Sequence, residues 1–279
     1  MKHNKTTAIA ILAIGGLMAL NAPAADESKP ATANEKRPNG LLAHWNFDEG
    51  GENDVCADAS GNGFNGIPNT AIKRGEGKFG AHGLSLAGEQ VVKVPQTMPF
   101  PAPPISFSAW VKPNTLTNRQ YIFTYLPNTK ESHHEYEFAL HLDNGGEPRF
   151  WIWGRVEAGA KQEKWGILSK SKVTTDEWTH VVVTIGKPTG EPRVASAKEG
   201  AKNLTWTMYQ NGKMVTSAIL PVPPFQAVGE YSIGGKPSRH NSLDGNIDEL
   251  MVFKKTLTAE EVESSYTTNA LPNAEGKSK

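Results

Sequence analysis

Short segments in which apolar and polar residues alternate recur along most of the chain, and they predict an all-β fold. Residues two apart on a strand share one face, so each such segment turns one side toward a core. Asn211-Gly212 separates two of the segments and predicts a two-residue hairpin turn. Many short strands at close spacing favour a sandwich. The predicted strands are 41–47, 83–86, 90–94, 105–111, 121–125, 136–142, 149–153, 178–185, 204–210, 213–220, 231–233 and 245–253.

The last of these segments carries an acid among apolar residues and leads into a short helix. A buried carboxylate needs hydrogen bonds, a cation or a metal ion, so Asp248 is a candidate site residue. Thr258 and Glu261 have the spacing of a capping box, which predicts that a helix begins there. Strict alternation puts Asp248, Leu250 and Val252 on one face of the strand, and Ile247, Glu249, Met251 and Phe253 on the other.

The first 25 residues have the pattern of a cleaved secretory signal, which predicts a secreted or periplasmic protein. Lys2 and Lys5 precede an uncharged apolar run, and Ala22-Pro23-Ala24 forms a small-residue cleavage site. The apolar run is short for a membrane span, so we expect no span after cleavage. The remaining chain divides into a disordered polar leader (26–39), one domain (40–268) interrupted by an exposed excursion (186–203), and a flexible tail (269–279).

Charge and cysteine content narrow the function classes. The chain has 29 Lys and Arg residues against 29 Asp and Glu, without the basic surplus of nucleic-acid-binding proteins. The single cysteine, Cys56, leaves the domain without an internal disulfide. Because no histidine lies nearby in sequence, Cys56 is interpreted as a packed small side chain rather than a catalytic thiol.

Four blocks, in order, resemble the concanavalin A-like, laminin G-like jelly rolls of secreted bacterial proteins. The resemblance spans nearly the whole predicted domain and implies a two-sheet antiparallel jelly-roll sandwich with a short C-terminal helix. It also implies that the first and last strands pair, which brings Asp48 near Asp248. The blocks are LAHWNFDEG (42–50) with DASGNGFNG (58–66); ISFSAWV (105–111); EWTHVVVT (177–184) with YQNGK (209–213); and SIGG (232–235) with GNIDELMVF (245–253) and LTAEEV (257–262).

The resemblance further implies a structural calcium site where the first and last strands meet. Calcium takes six to eight oxygen ligands and accepts a mixture of carboxylates and carbonyls. Asp48, Asp248 and the carbonyls around Asn65 and Gly66 are the candidate ligands, with Asp58 as a further one. The alternative is that Asp48 and Asp248 accept backbone amides without a metal, and that Asp58 bonds its own turn.

The segments 136–142 and 149–153 predict a hairpin with a polar, aromatic outward face. Keeping the apolar residues of both strands on the core side fixes the register. His141 then faces Arg149, Ala139 faces Trp151, Glu137 faces Trp153 and Glu135 faces Arg155. One interpretation is a carbohydrate platform, in which arginine suits a uronate carboxylate or a sulfate. The other is that segment 154–176, segment 186–203 or a partner subunit covers the tryptophans. The candidate ligand-binding residues are Glu137, His141, Arg149, Trp151, Trp153 and Arg155.

The leading hypothesis is therefore a secreted, non-catalytic module that binds carbohydrate or another extracellular surface. A glycan-cleaving hydrolase or lyase is an alternative, since some members of the superfamily use a Glu-x-Asp-x-x-Glu strand. Residues 246–251 match only its middle, because Asn246 stands at the nucleophile position and Met251 at the last carboxylate position. A structural component of a cell-surface assembly is the other alternative, and the oligomeric state stays open.

Overall fold

A computed structural model describes residues 39–49, 55–99, 102–127, 137–155, 160–187, 202–223, 229–236 and 241–269. Residues Lys36–Lys279 form one compact unit. The predicted signal peptide, most of the predicted leader and tail, and Glu135 lie outside the described residues. Within the described ranges, no helix is long and apolar enough to cross a membrane.

The described residues form fifteen strands, joined by turns and loops, and one helix near the C-terminal end. In chain order the elements are β1 (Leu41–Trp45), β2 (Ile67–Pro68), β3 (Lys73–Gly75), β4 (Gly83–Leu86), β5 (Val92–Val94), β6 (Ile105–Pro113), β7 (Gln120–Pro127), β8 (Glu137–Leu142), β9 (Pro148–Gly154), β10 (Glu163–Leu168), β11 (Thr179–Gly186), β12 (Lys202–Gln210), β13 (Lys213–Val222), β14 (Gly229–Ile233), β15 (Gly245–Phe253) and α1 (Ala259–Thr268).

These strands build two antiparallel sheets, which confirms the predicted jelly-roll sandwich. The first sheet has the order β13-β12-β11-β6-β15-β4-β3, with β1 also paired to β15. The second has the order β10-β9-β8-β7-β14-β5-β2. The pairing of β1 with β15 confirms that the first and last strands meet. The predicted hairpin at Asn211-Gly212 is also confirmed, with φ values of 50° and 77° that suit a type I′ turn.

The alternation within β6 shows how the sequence makes the sandwich. Ile105, Phe107 and Val111 are buried in the core between the sheets. The Phe107 ring centroid lies 5.0 Å from that of Phe138 and 5.4 Å from that of Phe150, both on the second sheet. Aromatic rings at these separations bury large apolar areas and hold the sheets together.

The helix α1 covers the outward face of the first sheet. Its buried Val262 packs with Met251 and Phe253 of β15. The predicted capping box is confirmed, because the Thr258 hydroxyl accepts a hydrogen bond from the Glu261 amide at 3.2 Å and the Glu261 carboxylate accepts one from the Thr258 amide at 3.0 Å. Around β11 and β15 the first sheet therefore buries both faces, one in the core and one under α1.

Strict alternation along β15 is wrong beyond Asp248. The pairing with β6 shifts between Asp248 and Met251, and Glu249 has a left-handed φ of 49°. A bulge adds one residue to a strand and so reverses which positions face inward. Leu250 joins Ile247 in the core, whereas Met251 and Phe253 face α1.

The segment 154–176, predicted as one candidate cover over the tryptophans, contains a strand. Its residues Glu163–Leu168 form β10, which pairs with β9 and extends the second sheet. The sequence did not predict this strand because its two charged residues and its glycine (EKWGIL) interrupt the apolar and polar alternation. Most of the predicted excursion, 186–203, lies outside the described residues.

Candidate functional site

The carboxylates of Asp48 and Asp248 both bind the loop that precedes β4. Asp248 Oδ2 accepts hydrogen bonds from the amides of Lys78 at 2.7 Å and Phe79 at 3.0 Å. Asp48 Oδ1 accepts them from Ala81 at 2.6 Å and His82 at 3.1 Å. The two acids therefore hold consecutive parts of one loop, as the amide-bonded alternative predicts.

The Asp248 carboxyl is fully buried. Burial raises the pKa of Asp248 to about 7, with a further contribution from the charge of Glu249, although its three backbone hydrogen bonds act in the opposite direction. The third of these bonds runs from the Glu249 amide to Asp248 Oδ1 at 2.9 Å. Hydrogen bonds to the carboxylate only partly offset the cost of removing its charge from water.

The other three predicted calcium ligands bind their own loop and β1. Asp58 Oδ1 accepts hydrogen bonds from the amides of His44 and Ser60, each at 3.0 Å, and the Asn65 side-chain oxygen accepts one from the Asp58 amide at 2.8 Å. The Gly66 carbonyl accepts one from the Cys56 amide at 2.9 Å. These bonds fix the turn-rich loop against the first strand.

This donor set does not fit a calcium ion. Each predicted ligand has an oxygen turned toward an N–H donor, whereas calcium needs six to eight oxygens turned toward one point. Among the residues that the structure describes, no group of three or more His, Cys, Asp or Glu side chains could hold a metal ion. Calcium thus stays a prediction, and the described contacts favour backbone amides as the partners of these acids.

The predicted register of the β8–β9 hairpin is confirmed. His141 pairs with Arg149, Ala139 with Trp151, and Glu137 with Trp153. The outward side of the second sheet carries a small apolar cluster of Tyr121, Ala139 and Trp151, with Trp153 packed against it. The hairpin therefore brings the predicted ligand-binding residues on β8 and β9 onto one face.

The two tryptophans on this face differ in exposure. Trp151 is only 3% exposed, whereas Trp153 is half-buried. The ammonium groups of Lys164 and Lys236 lie over the Trp151 ring, 4.3 Å and 5.0 Å from its centroid. A cation over an indole face is attracted by the negative face of the ring. Lys164 lies on β10, within the segment 154–176. This segment therefore covers Trp151 with one side chain, while its strand pairs with β9 at the edge of the sheet.

His141 is buried and neutral. Burial lowers its pKa to about 3. The charges of Arg119, Arg149 and Lys164 lower this pKa further, whereas the charge of Asp143 raises it. Among the described residues, neither ring nitrogen of His141 nor the Trp151 indole nitrogen has a hydrogen-bond partner. Buried polar groups in this condition are costly, and a water or ligand that reached them would lower that cost.

Asp143, at the end of β8, joins two arginines. Its Oδ2 lies 3.0 Å from Arg149 Nη1, and its Oδ1 lies 3.3 Å from Arg119 Nη2. Desolvation alone would raise the pKa of Asp143, but the charges of Arg149 and Arg119 outweigh it and hold that pKa below its usual value. The carboxylate is therefore ionised at neutral pH and neutralises only part of the positive charge around it.

The two remaining predicted site residues have local partners. Glu137, 2% exposed, forms a buried ion pair with Lys236. Arg155 Nη1 donates a hydrogen bond to the Ala160 carbonyl at 2.7 Å. Glu137 is thus buried in an ion pair at the edge of this face, and Arg155 is bonded to the backbone of Ala160.

Sequence reasoning missed four charged residues of this region. Asp143 lies two residues after His141, immediately after the end of β8, so its place could have been found from the hairpin register. Lys164 could be placed only if β10 had been predicted as a strand. Arg119 and Lys236 lie outside the strands, where no alternating pattern predicts the direction of a side chain. The missed residues are Arg119, Asp143, Lys164 and Lys236.

A family model named Laminin_G_3, described as "Concanavalin A-like lectin/glucanases superfamily", matches residues 86–263. The chain belongs to this family. None of the curated proteins compared with this laminin G-like domain matches it.

Solved structures share the fold of this laminin G-like domain at low sequence identity. One is domain 4 of AbnA, a GH43 extracellular arabinanase from Geobacillus stearothermophilus, in complex with arabinotriose. It is 21% identical to this chain, with a TM-score of 0.60, and the match covers 81% of this chain and 98% of that domain. The botulinum neurotoxin type G receptor binding domain is 13% identical with a TM-score of 0.52, covering 83% of this chain. This chain spans 52% of the toxin domain. At these identities the likeness shows the fold alone.

Proposed function

We propose that this laminin G-like domain is a secreted, non-catalytic module that binds carbohydrate through the outward face of β8, β9 and β10. The observation that carries the proposal is the half-buried Trp153 beside the cation of Lys164, with Arg149 further along β9 on the same sheet face. An indole offers a flat apolar surface for the C–H face of a sugar. Neighbouring cationic side chains supply donors for its oxygens.

The fold neighbours give independent support for a binding role. One is an arabinanase domain solved with a bound arabinotriose, and another is a toxin receptor binding domain. Fold likeness is an associational argument, so the local chemistry of the β8–β10 face has to carry the assignment. Secretion rests on the signal pattern of residues 1–25, and calcium does not enter the proposal.

The described carboxylates favour binding over catalysis. A glycosidase needs one carboxylic acid and one carboxylate flanking the scissile bond. Glu137 is ion-paired to Lys236, Asp143 is bound by two arginines, and Asp248 is fully buried beneath a loop of the first sheet. None of these three is an accessible, unpaired acid.

Retention of the purified protein on a panel of immobilised polysaccharides tests the proposal. Trp153→Ala should lose retention at unchanged melting temperature. Trp178→Ala is a matched control, because Trp178 is also half-buried but precedes β11 of the first sheet. Equal retention of both variants would overturn the role of this face.

The same panel separates the alternatives. Release of new reducing ends by the wild type would favour a hydrolase or lyase instead. Absence of retention on every polysaccharide, together with self-association, would favour a structural role in an assembly.

A further inference from the structure

The accessible part of the β8–β10 face carries an excess of positive charge. Arg119 and Arg149 have side-chain exposures of 38% and 33%, and Lys164 is exposed. Asp143, 21% exposed, lies between the two arginines. We call Arg119, Arg149 and Lys164 the cationic patch.

Among the described residues, Asp143 is the one carboxylate in ion-pair contact with the cationic patch. Asp143 contacts both guanidinium groups, but no described carboxylate lies within ion-pair distance of Lys164. Burial, followed by the charges of Arg119 and Arg149, lowers the pKa of Lys164, and Asp143 offsets this only in part. Like charges held this close repel one another in the unliganded protein, so an added anion would relieve that repulsion.

The cationic patch adjoins an aromatic surface along the same strands. Lys164 pairs directly with Trp153 across β9 and β10, and Arg149 lies four residues before Trp153 on β9. Residues four apart on a strand are separated by about 13 Å. A ligand that contacts both Arg149 and Trp153 therefore has to be longer than a single sugar.

We propose that the cationic patch and Trp153 together bind an acidic polysaccharide, one that carries uronate carboxylates or sulfate esters. This inference rests on the proposed carbohydrate-binding function and names its ligand class. The planar guanidinium groups of Arg119 and Arg149 match the paired oxygens of a carboxylate or sulfate. Lys164 supplies a point charge next to the ring that would stack on the sugar.

Asp143 is the internal counter-ion of the cationic patch, and it competes with an anionic ligand for the two arginines. In the unliganded domain it holds Arg119 and Arg149 as an internal counter-ion. It also opposes any anion that approaches them, because its own charge is negative. Removing that charge while keeping the shape of the side chain, as in Asp143→Asn, should therefore strengthen binding of an acidic polysaccharide. A residue that served only the fold would not produce this gain.

Binding of the purified protein to three polymers tests the inference: polygalacturonate, dextran sulfate and neutral arabinan. We expect binding to at least one acidic polymer, and weaker binding as salt rises toward about 0.3 M, since salt screens exposed charges. Lys164→Gln should weaken acidic-polymer binding about two- to fivefold, the usual range for one exposed charge. Lys213→Gln, which removes an exposed lysine from β13 of the first sheet, is the control and should bind like the wild type.

The outcomes distinguish the inference from the function on which it rests. Binding of polygalacturonate alone assigns a uronate ligand, and binding of dextran sulfate alone assigns a sulfated one. Equal, salt-independent binding of neutral arabinan would overturn the acidic ligand while leaving the carbohydrate-binding function in place. If the protein binds none of the three polymers and no other polysaccharide in the panel, both the acidic ligand and the carbohydrate-binding function are overturned. Weaker acidic binding by Asp143→Asn at unchanged melting temperature would reject the role given to Asp143.

Discussion

Asp48 and Asp248 hold the same loop at adjacent points, Asp248 through the amides of Lys78 and Phe79 and Asp48 through those of Ala81 and His82. Asp48 follows β1 and Asp248 lies in β15, the two strands that bring the beginning and end of the domain together. Backbone amides thus tie both strands to the loop before β4, in the place where the sequence resemblance implies a cation.

This loop should be intolerant of a side chain at Gly80. Gly80 has a φ of +64°, and a Cβ there would lie 2.2 Å from Asp48 Oδ1. Gly88 has a similar φ of +68° but open space around it. Both alanine variants bear the cost of the left-handed conformation, about 1 kcal/mol. Urea unfolding should show Gly80→Ala destabilised by a further 2 kcal/mol or so, in the range of overpacking. Equal losses would mean that Asp48 does not hold the loop.

Stability should depend on pH through Asp248. Its pKa in the folded domain is about 7, above its ordinary value of 3.8. The stability contributed by protonated Asp248 is therefore complete below about pH 4 and is lost as pH rises through 7, by up to about 4 kcal/mol.

Unfolding free energies of the wild type and Asp248→Asn between pH 4 and 8 check this prediction. The wild type should lose stability relative to the variant as pH rises, because only the wild type must bury a charge at high pH. Parallel profiles for the two proteins would show that Asp248 is ionised at both ends of the range.

Chelation tests the calcium prediction directly. Because the described oxygens of Asp48, Asp58 and Asp248 accept N–H donors, we expect EDTA to leave the melting temperature unchanged. A tightly bound ion would contribute several kcal/mol, and each kcal/mol shifts the melting temperature of a domain this size by about 2–4 °C. If EDTA lowers the melting temperature of the wild type but not that of Asp248→Asn, the result would support a calcium site at these aspartates.

The sequence predicted the strands well because most of them keep one face in the core. The register of β8 and β9 followed from placing the apolar residues of both strands, such as Phe138, Leu140 and Phe150, on the core side. The same rule failed in β15, since a bulge at Glu249 has no signature in a pattern of apolar and polar residues. Alternation constrains a strand only while every residue stays in the ladder.

The candidate site was only partly predictable for a related reason. Residues on one hairpin are placed by local register, which is how Arg149, Trp151 and Trp153 were brought together. The charges that complete the face come from other strands and loops, such as Lys164 on β10 and Arg119 before β7. Their proximity depends on the order of strands in the sheet, and the pattern of a single segment does not contain that order.

Glu137 and Lys236 should behave as a structural ion pair. Both are at most 3% exposed, so removing one partner leaves the other charge buried. Glu137→Met or Lys236→Met alone should lower the unfolding free energy by about 3–5 kcal/mol, while the double methionine variant should recover most of that loss. Lys93→Met is the control, because its pair with Glu230 is exposed (49% and 28%) and such pairs contribute about 1 kcal/mol or less.

The double variant also decides between binding and catalysis. If Glu137 only supports the sheet beneath Trp151, the double methionine variant should still be retained on polysaccharide. A variant that is stable yet has lost both retention and any reducing-end release would instead give the Glu137 carboxylate a direct role with the ligand. Since methionine fills a similar volume without charge, the comparison removes the acid and keeps the packing around Tyr121 and Trp151.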